Sequence, residues 1–231
     1  MADQNNRFRD DPLLRVSGQA MLTAARAAMD EYAREIFDLW FSGKAPSEVV
    51  FDNQKWAAYM QADAGLSAQI DRHLTNFVLR FRDDFFMRSP RATPRLPNQP
   101  YQTSFHAEVG PTFGGYRTGY AQLHGSNLAA GDFQMQGTFS MAPALASNLE
   151  FTFTNNQMTF NDKVDPNFKY KTDAVFANVA KNLAAATGGP PPKDYILRIR
   201  WREPGPWTYS IPAAPSKPGS PDWLRQFPNR P

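Results

Sequence analysis

The chain has 231 residues, 42% hydrophobic and 13% aromatic, with a formal net charge of +3 and a pI near 9.2. That is enough apolar material for a packed core and too mild a charge for a dedicated nucleic-acid binder. Cysteine is absent, which excludes disulfides, thiolate catalysis and Cys-type zinc sites.

Residues 1–16 are polar, mixed in charge and aperiodic, and read as a mobile arm without the apolar core of a secretory signal. No run approaches the ~18 apolar residues of a membrane-spanning helix. The expectation is a protein made in the cytoplasm without a signal peptide. From Ser17 to Phe41 apolar residues recur at three- and four-residue spacing, among them Met21, Ala25, Tyr32, Ile36 and Trp40. Ser17 suits an N-cap and Gly43 a stop. A second helical piece spans residues 53–64, and a third spans 67–87 with Ile70, Leu74, Phe77, Val78, Phe81 and Phe85 on one stripe. Arg72, Arg80, Arg82, Asp83 and Asp84 fall on the other side.

Residues 89–100 carry four prolines. Proline fixes φ and restricts its predecessor, so this stretch predicts an extended linker. Beyond it the period changes to two. Residues 101–109, 115–124, 132–141 and 149–160 predict strands, the last with an Asn155-Asn156 interruption. Asp173 to Thr187 predicts a helix, and residues 195–201 and 207–211 two further strands.

The fold class expected is α+β. A helical unit (17–88) and a Pro-rich linker (89–100) precede an antiparallel, barrel-like β-domain (101–211) with one inserted helix and a Pro-rich tail (212–231).

Chemistry-bearing residues concentrate between the strand ending near Phe160 and the helix beginning near Asp173. Asp162, Asp165 and Asp173 lie there in what reads as an irregular segment. Paired carboxylates bind hard cations such as Mg²⁺ or Ca²⁺, or divide acid and base duties. The same residues also suit turn capping, with Asp173 at a helix N-cap. Of the three histidines, His73 falls on a helix and His106 in a strand. His124 closes a strand beside a turn, where a general base would serve. Arg198, Arg200 and Arg202 alternate and so project from one sheet face. They would clamp phosphate oxygens or merely keep that face solvated. No P-loop, dinucleotide fingerprint, His-Glu-x-x-His or nucleophile elbow is present.

Residues 116–201 resemble the catalytic domain of colicin M-type bacteriocins. The likeness rests on the Gly-containing strand at Gln136–Met141, the aromatic strand Leu149–Phe153 and the segment Asn161-Asp162-Lys163-Val164-Asp165. A helix and a strand opening Lys193-Asp194-Tyr195 follow in the same order. Asp162 and Asp165 match the two aspartates of the family's Asp-x-Tyr-Asp motif. Val164 stands in place of its tyrosine, and Lys171-Thr172 in place of its His-Arg pair. The resemblance implies an antibacterial effector toxin that cleaves the pyrophosphate link of a lipid II-type cell-wall precursor in the target's periplasm. It would be delivered by a secretion apparatus and neutralised by a cognate immunity protein. The resemblance implies roles for Asp162 and Asp165 only; the residue pattern adds His124 as a third catalytic group, Asp162, Asp165 and Asp173 as metal ligands and the three arginines as substrate contacts. The other reading is a binding protein that holds a lipid or cell-wall group without turnover.

Overall fold

The computed structural model describes residues 11–28, 31–108, 129–164 and 171–214. Among these the order is α1 (Pro12–Ala28), α2 (Glu31–Phe41), β1 (Glu48–Phe51), α3 (Gln54–Gln61), α4 (Ala64–Arg88), β2 (Leu96–Glu108) and β3 (Ala129–Pro143). A short 3₁₀ turn, Leu145–Ser147, leads to β4 (Asn148–Val164), α5 (Lys171–Thr187), β5 (Tyr195–Arg202) and β6 (Trp207–Pro212). The α+β class holds: a mainly helical first part is followed by a mainly antiparallel sheet.

Local chemistry sets the helix starts. Asp11 accepts hydrogen bonds from the Leu13 and Leu14 amides at 2.8 and 3.3 Å, with Pro12 at the first helical position. The first helix therefore begins five residues before Ser17. Asn53 caps α3 through the Trp56 amide at 3.1 Å, and Asp63 caps α4 through the Leu66 amide at 2.9 Å. Gly43 ends the α2 segment with φ of +67°. A Cβ there would stand 2.5 Å from the Pro191 carbonyl oxygen, so both conformation and space require glycine.

The sheet runs β1-β5-β4-β3-β2, with β6 also paired to β4. Its path starts and ends on different strands, so it stays open and does not close into a barrel. One end is β1, which lies inside the stretch expected to be helical and pairs in parallel with β5, Val50 opposite Arg198. Four residues between Pro46 and Asn53 are too few to betray a period. At the other end, Leu96 and Pro100 pair with Met141 and Thr138 of β3. The Pro-rich stretch thus already belongs to an edge strand, where proline is tolerated.

β4 is the long central strand. Its first half pairs with β6 and its second half with β5. The two halves meet at Asn155 and Asn156, which together oppose Gly137 in a bulge between the pairs Gln136–Gln157 and Thr138–Thr154. Asn155 adopts φ of +56°, a conformation asparagine tolerates. The expected interruption is therefore a bulge within one strand.

The inner face of the sheet packs against α4. Phe77 meets Phe139 and Phe153 edge to face at 5.7 and 5.8 Å, and Phe81 meets Phe139 at 4.9 Å. Each such pair adds roughly 0.5–1.5 kcal/mol beyond area burial. Leu66, Ile70, Leu74 and Val78 form the buried α4 stripe, and it continues into Arg82, which is 1% exposed. Arg82 was expected on the solvent side. It falls four residues beyond Val78, so its stem lies in the core. Its guanidinium donates to the Pro212 carbonyl at 3.0 Å and meets Asp83 at 2.7 Å.

Candidate functional site

Strand alternation decides where each expected site residue faces. Along the second half of β4, Met158, Phe160 and Val164 are buried, while Gln157, Thr159, Asn161 and Lys163 take the opposite positions. Asp162 falls in the inward series. It is half-buried and its register partner on β5 is the fully buried Leu197. Asp162 was expected in an irregular segment; it lies within β4, which continues to Val164. Strand pairing with β5 through Val164–Tyr195 extends the ladder past it. Asp162 is thus a carboxylate among the mostly apolar inward positions of β4.

The other expected carboxylates are placed less fully. Asp165 lies outside the described residues. Asp173 lies in the first turn of α5, which starts at Lys171, so it is not the N-cap; its side chain is outside the described set. His124, the expected base, and the side chain of His106 also lie outside it. His73 is described and is structural. It shares a 2.8 Å hydrogen bond with the Thr103 hydroxyl and stacks on Phe105 at 4.8 Å. Burial, and secondarily Arg80, holds its pKa below the usual value.

The three arginines do share one face, as alternation implies. Leu197, Ile199 and Trp201 are buried, and Arg198, Arg200 and Arg202 take the outward positions of β5. That face is opposite to the one Asp162 occupies, so the arginines and Asp162 do not converge. Arg198 is tied down: a terminal nitrogen donates to Asn161 at 3.1 Å, and its Nε lies 3.0 Å from a Glu48 oxygen. Arg200 and Arg202 are exposed. Lys163 projects on the same side, 4.0 Å from Asp194.

Asp194 marks the opening of β5 in the sequence but is not among the candidate site residues read from it. It also accepts a 3.0 Å hydrogen bond from the buried Trp40 indole. The Lys193 amide donates to the Trp40 carbonyl at 3.1 Å. The entry to β5 is thus bound to the end of α2, which fixes β5 beside Asp162. The signal was the Lys193-Asp194-Tyr195 triplet itself, but nothing local to it names Trp40 as a partner.

A second polar feature lies on the outer face over the bulge. It is a shallow, open concavity of about 550 Å³ with Gln102, Gln136, Gly137, Thr138 and Gln157 in its lining. Gln136 donates to Gln157 at 2.9 Å across the strands. Among the described residues no group of three or more His, Asp or Glu gathers in metal-binding proximity, and no helix is long and apolar enough to cross a membrane.

No protein-family model matches the chain, and no curated protein matches it. Among solved structures, it is similar to PaeM, a colicin M-like bacteriocin produced by Pseudomonas aeruginosa, at 8% identity and a TM-score of 0.31. The match covers 78% of this chain and 50% of that one, so the chain spans about half of the bacteriocin's length.

Proposed function

We propose that the chain is an antibacterial toxin of the colicin M type that hydrolyses a phosphate ester of a lipid-linked cell-wall precursor, with Asp162 as the central carboxylate. The observation that carries this reading is the inward position of Asp162 at the end of β4, among Phe160, Val164 and Leu197. A carboxylate mounted at the end of a rigid strand is held in a fixed position for work on a bound substrate. Asp162 is also the first aspartate of the segment that resembles the family motif.

In this reading Asp162 acts with Asp165, the next carboxylate along the chain, and His124 is the proposed base. The chain has no His-Arg pair at Lys171-Thr172, so a base must come from another segment. Oxygen donors of this kind suit Mg²⁺ or Ca²⁺, and Asp162, Asp165 and Asp173 are the proposed ligands. A bound cation would stabilise charge on a phosphoryl oxygen. The chain's own contribution is to hold the Asp162 carboxylate in place on the β4–β5 ladder. The same reading places the target in the envelope of a competing cell and implies delivery by a secretion machine and a dedicated immunity protein in the producer.

The test is expression in bacteria with and without a fused export signal. Growth arrest is expected only for the exported protein, and Asp162→Asn should relieve it while expressing and folding normally. Arrest by the unexported protein alone would place the target elsewhere and reject the reading.

A further inference from the structure

We infer that the outer face of β5 and β1 is a docking surface for an anionic phospholipid bilayer. The inference is independent of the reading above: it stands on a different face and on different residues.

The outward positions of β5 and of its ladder on β4 carry Lys163, Arg198, Arg200 and Arg202, and no carboxylate. Acids reach this face from neighbouring segments, where Glu48 meets Arg198 and Asp194 approaches Lys163. Arg200 and Arg202 have no acidic partner within 4.0 Å among the described residues and are exposed. Beside them stand two exposed aliphatic side chains, Ile196 at 42% and Val50 at 38%. Their strands pair so that Val50 sits opposite Arg198 and Ile196 opposite Glu48, which puts all four on one face.

Exposed branched aliphatics next to arginines that have no acidic partner among the described residues match the two layers of a membrane surface. Guanidinium groups bond lipid phosphates, and the aliphatic groups enter the acyl boundary. Neither property suits a neutral, purely aqueous face. Positive charge on a surface is drawn to anionic leaflets, and the attraction fades within a Debye length. With this face on the bilayer, Asp162 points to the other side of the sheet, so docking and chemistry are separate properties of the two faces.

The experiment is flotation of the whole protein with vesicles of phosphatidylcholine containing phosphatidylglycerol, compared with pure phosphatidylcholine. Both lack any lipid-linked precursor, so the result does not depend on hydrolysis. Binding is expected on the anionic vesicles and should fall with salt. Arg200→Gln and Arg202→Gln should each weaken it about fivefold, and Ile196→Ser should weaken it at constant charge. All three positions are exposed, and an unchanged thermal midpoint checks that the variants fold. Equal partition to both vesicle types overturns the inference, as does wild-type partition of the double arginine variant.

Discussion

The hydroxyl of Tyr195, the first residue of β5, donates to the backbone carbonyl of Ile36 in α2 at 3.0 Å. This buried bond joins two segments 159 residues apart and makes the helical and sheet parts share one core. Tyr195→Phe would leave the Ile36 carbonyl without that donor. The expected cost is about 1–2 kcal/mol, read as a lower urea midpoint at unchanged m-value. An unchanged midpoint would mean that the bond contributes nothing.

Alkaline pH should loosen the same joint. Burial, and secondarily Glu35, raises the Tyr195 pKa. Burial alone raises that of Tyr101. Both phenols therefore hold their protons longer in the folded protein than in the unfolded chain. Their contribution is fully present below the ordinary tyrosine value of about 10 and is lost as pH rises beyond it. Urea midpoints should fall steeply above about pH 10, and Tyr195→Phe should flatten that fall. His73 acts on the acid side: its lowered pKa means stability declines as pH drops through about 6.5.

The β4 bulge gives a steric prediction. A Cβ on Gly137 would stand 2.7 Å from the Thr154 carbonyl oxygen and 3.0 Å from a Tyr101 ring carbon. Backbone on one side and a buried ring on the other leave little room to yield. Gly137→Ala should destabilise by about 1–3 kcal/mol, measured by chemical denaturation. A neutral substitution would show that the bulge relaxes freely.

Beneath that bulge, Tyr101 donates to the buried Asn156 side chain at 2.8 Å, and Asn156 returns a weaker bond to the Phe153 carbonyl at 3.4 Å. Tyr101→Phe removes one donor and should cost about 1–3 kcal/mol because the amide oxygen stays buried. Asn156→Ala in the Tyr101→Phe background should then add less than it does alone, and a double-mutant cycle measures the coupling. Strict additivity would indicate that the two side chains are energetically independent.

Periodicity made most of the fold legible. The α4 stripe, the alternating strands 132–141 and 149–160 and the helix ending at Thr187 all follow from where apolar residues recur. What periodicity missed depends on partners far away in the chain. β1 is four residues long and is defined by β5, some 150 positions later. Leu96–Pro100 looks like a linker because of its prolines and becomes a strand only because β3 is beside it. Arg82 looks solvent-facing by residue type and is buried by its position on the helix. For the candidate site, alternation correctly put Arg198, Arg200 and Arg202 on one face. That Asp162 faces the other way is hidden in the sequence, where the apolar alternation stops at Phe160. Once β4 is seen to reach Val164, the same alternation turns Asp162 inward.

The most direct measurement is release of the phosphorylated head group from a purified, detergent-dispersed lipid-linked precursor by the wild-type protein and by Asp162→Asn. Turnover is expected from the wild type and a loss of at least about a hundredfold from the variant, with stability changed by no more than about 0.5 kcal/mol. Equal turnover by both proteins would remove Asp162 from the chemistry. Tight binding of the precursor without release by the wild type would contradict the enzymatic reading and make the chain a binding protein.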